Sequence, residues 1–357
     1  MRTNEFTFVS RDGKSHIHVQ EWIPDEEPKA ILQICHGMNE YIGRYDRFGQ
    51  FLAENGFYVV GHDHLGHGKS VANEEELGWF DDKLGNEYLI ADIHRLRGIT
   101  QEKYRSLPYF MMGHSMGSFL IRQYMQMHGD GLFGVIVMGT GSQSSTTLAM
   151  GRMMCKAISL FKGWHYRSQK LEEIAFGSYN KNFEPVRTQK DWLTKDEQIV
   201  DRYIADPLCM FRFTVSAYNQ MFRGIQFIQD KNNIAKIPKR LPVFLVSGGD
   251  DPVGNCGEGV QQVYESFHAA GMLDVLMKLY PGDRHEILNE LNYRDVQDDL
   301  LIWMLSKLSG IPQKADEAEE AVLPEAASDE AEETVLPESE SAETEEEEPV
   351  MKEGENS

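Results

Sequence analysis

Eight short β-rich runs separated by longer amphipathic stretches constrain this chain more than any other feature, because such an alternation leaves few ways to bury the apolar faces. The runs fall at 5–10, 16–22, 30–35, 57–62, 109–113, 134–138, 242–248 and 275–280. The first two alternate apolar and polar residues and lie close together, which predicts an antiparallel pair. The later runs are continuously apolar, as in strands buried on both faces of a parallel sheet. Stretches 44–54, 88–104, 116–128, 257–270 and 294–308 place apolar residues three and four apart, the spacing of a helix with one buried face. The layout predicted is a doubly wound α/β fold.

One region departs from it. Between 142 and 236 no strand is predicted, only helical pieces rich in methionine and aromatic residues, among them Met150, Met153, Met154, Phe161, Trp164, Phe211, Phe213, Met221 and Phe222. Most of these are expected to form the insertion's own core. In an open α/β sheet the ligand crevice lies at the carboxyl ends of the strands, so a helical insertion there covers it. The expected organisation is a core at 1–141 and 237–311, a helical cap at 142–236 and a tail at 312–357.

The tail carries eighteen acidic residues against Lys314 and Lys352. It therefore accounts for −16 of the chain's net −22 and leaves −6 for the rest. The segment 319–325 recurs with one change at 332–338. A stretch so charged and so poor in aromatics cannot bury enough surface to offset its entropy, and disorder is expected there. A solubilising extension is favoured over a partner-binding tail. The acidic balance also disfavours nucleic acid, which needs a basic footprint. Four cysteines without a CxxC pair suggest reduced thiols rather than a disulfide framework or zinc site. No signal-peptide pattern and no apolar run of ~18–20 residues is present, so a soluble, cytoplasmic protein is expected.

Gly113-His114-Ser115-Met116-Gly117 matches G-x-S-x-G, with an apolar run entering it and a helical stretch leaving it. That strand-turn-helix context lifts a serine hydroxyl above the sheet. A serine hydroxyl is a poor nucleophile near neutrality, so an imidazole must take its proton and a carboxylate must orient the imidazole. In this arrangement both follow in the chain, acid before histidine. The run 242–248 leads into Asp250-Asp251-Pro252, and the run 275–280 leads into Asp283-Arg284-His285. Asp251 is preferred as the acid because Pro252 pre-sets the turn after it, with Asp250 as the alternative. The oxyanion of a tetrahedral intermediate needs two donors, for which the backbone N–H groups of Met116 and of Met38, in His36-Gly37-Met38 after the third run, are the candidates.

A competing cluster is His62-Asp63-His64-Leu65-Gly66-His67, which is similar to the H-x-H-x-D-H of metallo-β-lactamase-type hydrolases. Gly66 stands where that motif has its aspartate, removing a hard ligand for a second metal. Gly68-Lys69-Ser70 lacks the first glycine of a phosphate loop, and no G-x-G-x-x-G opens a helix. No metal and no organic cofactor is expected.

Taken together, His36-Gly37-Met38-Asn39-Glu40 followed by Arg44-Tyr45, Asp63-His64-Leu65-Gly66-His67-Gly68-Lys69-Ser70, the Gly113–Gly117 motif, Asp251 and His285 resemble the α/β-hydrolase superfamily. The likeness is to its monoglyceride lipase and lysophospholipase-like branch, over most of residues 5–308. The resemblance implies an eight-stranded, mostly parallel sheet, Ser115 as nucleophile, His285 as base, Asp251 as its orienter and Met38 with Met116 as oxyanion donors. It implies that the 63–68 loop is structural and that a mobile cap covers an acyl tunnel. In its cap segments 175–180 and 205–209 the chain looks more like bacterial relatives, and the acidic tail has no counterpart in the family pattern.

The expected function is hydrolysis of monoacyl lipids, monoacylglycerol or lysophospholipid, or of similar small acyl esters through an acyl-enzyme, with transient membrane contact through the cap. The alternatives are a serine aminopeptidase of the proline-iminopeptidase type, a metallohydrolase at His62, His64 and His67, and a non-catalytic lipid-sensing scaffold.

Overall fold

The computed structural model describes residues 1–309; the acidic tail predicted at 312–357 lies outside them. Eight strands form one sheet in the order β1-β2-β4-β3-β5-β6-β7-β8. They are β1 (Arg2–Val9), β2 (His16–Ile23), β3 (Ala30–Cys35), β4 (Phe57–His62), β5 (Tyr109–His114), β6 (Gly134–Met138), β7 (Val243–Gly248) and β8 (Val275–Tyr280). β1 pairs antiparallel with β2, and β2 antiparallel with β4, while every pairing from β4 through β3 to β8 is parallel. This is the α/β-hydrolase fold.

The helices flanking the sheet are α1 (Asp46–Glu54), α2 (Gly85–Lys103), α3 (Met116–His128) and α9 (Glu258–Ala269) between strands and α10 (Tyr293–Ser309) after β8. Between β6 and β7 come only helices: α4 (Ser145–Lys162), α5 (Gln169–Phe176), α6 (Glu197–Ala205), α7 (Val215–Gln229), α8 (Lys231–Ile234) and a 3-10 turn at Asp191–Leu193. Side-chain caps start several of them. The Ser144 hydroxyl accepts from Thr147 N–H, Asp196 from Gln198 and Ile199, and Thr214 from Ala217, each satisfying donors that a helix start leaves free.

Alternate strand residues face opposite layers, so each central strand must be apolar throughout. Met112 and Phe110 of β5 join Leu32, Phe57 and Phe244 against Phe48 of α1 and Trp303 of α10. Met111 and Tyr109 join Ile31, Val60 and Leu245 against Ile93 of α2, Ile121 of α3 and Val263 of α9.

Two expectations need correction. The last strand is not buried on both faces: Leu276, Met277 and Leu279 are half-buried and Lys278 is exposed. It is the sheet's edge, where a protruding lysine discourages pairing with another chain. The first α-helix begins at Asp46 rather than 44, because Ile42–Tyr45 forms a tighter 3-10 turn whose first N–H donates to Asp63 Oδ1 at 2.8 Å.

The topology sets the site. β3 is flanked by β4 on one side and β5 on the other, so the connections leaving β3 and β5 diverge and open a crevice between their carboxyl ends. The loop 36–40 leaves β3 there and Ser115 leaves β5. The loops after β7 and β8 carry Asp251 and His285 to the same edge.

Candidate active site

Ser115 sits between β5 and α3 with φ of 53° and ψ of −120°, a conformation L residues avoid. The surroundings force it. A Cβ on Gly117 would lie 2.0 Å from the carbonyl oxygen of Cys35, and one on Gly113 would lie 2.3 Å from that of Gly117. Only glycines let helix α3 press this closely on β3 and β5. The turn is pinned by Ser115 N–H donating to Met138 O at 3.0 Å and by Ser118 Oγ donating to Ser115 O at 2.6 Å.

His285 Nδ1 lies 3.0 and 2.9 Å from Asp251 Oδ1 and Oδ2, and both side chains are buried. Asp251 also accepts from Ser247 Oγ at 3.1 Å and from Val253 N–H at 2.9 Å, so the carboxylate is held from three directions. Asp250 is exposed and, among the described residues, has no hydrogen bond to His285. The carboxylate fixes a proton on Nδ1 and leaves Nε2 as the free acceptor, the tautomer a general base requires. Ser115 and His285 line one cavity with no hydrogen bond between them among the described residues, a spacing common in unliganded sites.

Met38 and Met116 line the same cavity, and their N–H groups donate to no protein acceptor among the described residues. The Gly37–Met38 peptide is held by His36, whose Nε2 accepts from His64 N–H at 2.9 Å, so its Nδ1–H donates to Gly37 O at 2.8 Å. Gly37 N–H donates to Glu40 Oε1. A Cβ on Gly37 would lie 3.0 Å from Ser115 Cβ, so the loop packs directly on the serine.

The three histidines of the competing cluster are fully buried. His64 Nδ1 and His62 Nε2 bond each other at 3.2 Å, and His67 Nδ1 bonds Leu65 O at 3.0 Å. Asp63 is occupied by His18 and by the N–H groups of Ile42 and Lys69. Burial drives the His62 and His67 pKa values down to about 3, so both imidazoles are neutral. Among the described residues no group of three His, Cys, Asp or Glu side chains is arranged to hold a metal ion. The loop instead buttresses His36 and, through it, the Gly37–Met38 peptide.

Beneath the site lies a charged network whose members carry no role in the sequence reading. Glu40 Oε1 accepts from Tyr45 Oη and His114 Nδ1, both at 3.0 Å, and its Oε2 accepts from Arg44 Nη1 at 3.1 Å. Arg44 also grips Glu286 with two parallel bonds of 2.8 and 2.7 Å. The His114 ring lies 4.7 Å from that of His285, with its Nε2 3.3 Å from His285 O. Burial alone would raise the Glu40 carboxyl, but the His114 hydrogen bond and the charges of His114 and Arg44 hold it well below the usual carboxylate range. Burial likewise opposes a charged His114, and the bond and charge of Glu40 outweigh it, so its pKa is raised.

The pair makes stability depend on pH with a definite sign. Because the folded pKa of His114 is raised, its contribution is complete below about 6.5 and is lost as pH climbs through the folded value. Because that of Glu40 is depressed, its contribution is complete above about 4.3 and is lost as pH falls through the folded value. Glu40→Gln should cost about 3–5 kcal/mol at mildly acidic pH and flatten the decline above neutrality. Melting temperatures from about pH 6 to about pH 9 check this, and parallel curves for the two proteins would contradict it.

A second arrangement ties the helical insertion to the histidine. Across residues 191–195, Trp192 O accepts from His285 N–H at 3.4 Å and Leu193 O from Glu286 N–H at 2.7 Å. Arg284 Nη1 donates to Asp191 O and Thr194 O, and Lys195 Nζ donates to Asp283 Oδ1 at 2.8 Å. The Trp192 ring lies 5.1 Å from that of His285. This strap was not legible in the sequence, since it joins backbone groups some ninety positions apart.

The cavity holding Ser115 and His285 has a volume of about 360 Å³. Leu148, Met154, Met221, Phe222 and Ile225 line it, and so do Lys190, Tyr203, Glu172 and Glu286. Of the methionines and aromatics singled out in the insertion, Met150, Met154, Met221 and Phe222 line this cavity, while Phe213 is buried in the core.

Residues 26–292 match the family model described as serine aminopeptidase, S33. The chain is 25% identical to rat monoglyceride lipase over 79% of its length and 84% of the relative's. It is 24% identical to a monoacylglycerol lipase of Mycolicibacterium smegmatis over 85% of its length and 98% of the relative's. Among solved structures, a thermostable carboxyl esterase of Bacillus coagulans, crystallised with glycerol, superimposes with a TM-score of 0.80 at 31% identity, covering 86% of this chain and 99% of that one. The family match runs from just before β3 to beyond β8, and on that ground the chain belongs to the serine aminopeptidase S33 family, as a monoglyceride lipase-like serine hydrolase of the α/β-hydrolase fold.

Proposed function

We propose that this chain hydrolyses monoacyl lipids or similar small acyl esters through an acyl-enzyme. The observation that carries the reading is the buried Asp251–His285 pair, whose imidazole lines the same cavity as a serine held at a strained strand-to-helix turn. In the first half-reaction Ser115 Oγ attacks the ester carbonyl while His285 Nε2 takes its proton, and the developing oxyanion accepts hydrogen bonds from Met38 and Met116 N–H. His285 then gives the proton to the departing alcohol. Water, deprotonated by the same imidazole, attacks the acyl-enzyme, and the imidazolium returns that proton to Ser115 Oγ as the bond to the fatty acid breaks, with no metal or cofactor required.

The family model's description raises a peptidase reading. It would need a free carboxylate to hold an amino terminus, yet Glu40 and Glu286 are paired with Arg44, and Glu172 with Arg212. The test compares monoacylglycerol with aminoacyl-amide substrates. Ester cleavage with negligible amide cleavage is expected, and the reverse preference would overturn the ester reading.

We assign residues 142–236 the role of a cap. The relatives named above support an acyl ester as substrate, and the four free cysteines are in keeping with a reducing, cytoplasmic compartment. Among the described residues no helix is long and apolar enough to cross a membrane. Helix α4 nevertheless exposes Leu160 at 83% and Phe161 at 86%, beside Lys156 and Lys162. Apolar side chains rimmed by lysines suit transient contact with a lipid surface. The double substitution Leu160→Asp, Phe161→Asp should reduce sedimentation with anionic lipid vesicles severalfold without changing turnover of a water-soluble ester. Unchanged sedimentation would argue against this face.

A further inference from the structure

The cavity is lined by one lysine, which the mechanism does not use. Lys190 precedes the Asp191–Leu193 turn and lines the cavity, with its Nζ 5.6 Å from the centre of the Tyr203 ring. Arg44 lies against the same ring at 4.8 Å, but it is saturated by Glu40 and Glu286. Among the described residues Lys190 Nζ has neither a hydrogen bond nor an ion pair, and the remaining cavity carboxylate, Glu172, is taken by Arg212. Burial pushes the Lys190 ammonium below the ordinary lysine value, against the pull of Glu172 and Glu286. An ammonium so placed keeps donors that no protein acceptor takes up.

Its position relative to the chemistry is fixed by the strap. Trp192 and Leu193 are bonded to the backbone of His285 and Glu286, so Lys190 is presented from a segment clamped beside the imidazole that protonates the leaving alcohol. The apolar lining of Leu148, Met154, Met221 and Phe222 suits the acyl chain. Lys190 and Tyr203, next to the segment bonded to His285, are the groups placed to meet the alcohol.

We propose that Lys190 recognises the head group of the substrate and selects esters whose leaving alcohol carries a phosphate, as in lysophospholipids, over neutral glycerol esters. The proposal rests on the serine-hydrolase reading and names the substrate class within it. The net charge of residues 1–311 is −6, so no general field draws an anion in, and the selection is local to this side chain. A phosphate offers the ammonium charge-assisted hydrogen bonds that glycerol hydroxyls do not.

The test uses the intact chain with 1-lauroyl-glycerol, 1-lauroyl-glycerol 3-phosphate and p-nitrophenyl butyrate, for the native enzyme and Lys190→Met. The substitution should lower kcat/KM for the phosphate ester at least about tenfold, chiefly through KM, and leave the other two within about twofold. Glycerol 3-phosphate should inhibit p-nitrophenyl butyrate turnover by the native enzyme competitively and far more strongly than glycerol. That comparison decides the matter without any variant. Equal losses on both lipid esters, or equal inhibition by the two alcohols, would overturn the assignment of Lys190. Failure of the native chain to hydrolyse p-nitrophenyl butyrate would overturn the serine-hydrolase reading, and the head-group proposal with it.

Discussion

Ser115→Ala should lower kcat for a short chromogenic ester by at least about 10⁴-fold while leaving the fold intact. The size follows from chemistry: without the hydroxyl no acyl-enzyme forms, and what remains is the catalysis of water by the oxyanion donors and binding alone. The backbone adds a second readout. At φ of 53° and ψ of −120° alanine keeps the strain that serine bears, whereas glycine is free of it. Ser115→Gly should therefore be as inactive as Ser115→Ala and melt higher, by the equivalent of roughly 1 kcal/mol. Turnover of either variant within tenfold of the native enzyme would remove Ser115 from the reaction.

Asp251→Asn is the second large effect. The amide is nearly isosteric, but one of its two positions is a donor, and a donor facing Nδ1 favours the imidazole tautomer with its proton on Nε2, where the serine needs an acceptor. A fall in kcat of about 10⁴-fold with KM little changed is expected. Asp250→Asn, one position earlier and exposed, should be within about twofold of the native enzyme. Steady-state kinetics on the two variants check both statements. Equal damage from both substitutions would point to the turn rather than the carboxylate.

The strands were legible because a parallel sheet imposes an unmistakable pattern: β3, β4, β6 and β8 begin and end where their apolar runs do. What the runs could not convey is position in the sheet. β8 reads like a central strand because Val275, Leu276, Met277 and Leu279 are apolar, yet it is an edge and half-exposed. The elbow was legible for a related reason, since two glycines and a serine answer to a local steric demand. Local spacing alone left Asp250 and Asp251 nearly equivalent, and burial separates them.

The Glu40–His114–Arg44–Glu286 network was not legible as a unit. Its members come from the segment after β3, the last residue of β5 and the loop after β8, and their pairing depends on how close the three strand ends lie. The same holds for the strap at 191–195 and for Lys190, an unremarkable residue in a polar stretch until the fold sets it beside His285. The helical segment between β6 and β7 could be foreseen as helical from its composition, whereas its attachment to the histidine loop could not.

The central claim is that Ser115, His285 and Asp251 work as one unit. Labelling with a fluorophosphonate, followed by mass analysis of the digested protein, tests it most directly. A single adduct on the peptide containing Ser115 is predicted, forming quickly in the native protein and at least about 10³-fold more slowly in Asp251→Asn. An adduct on another residue, or labelling at Ser115 that is indifferent to the loss of Asp251, would contradict the account.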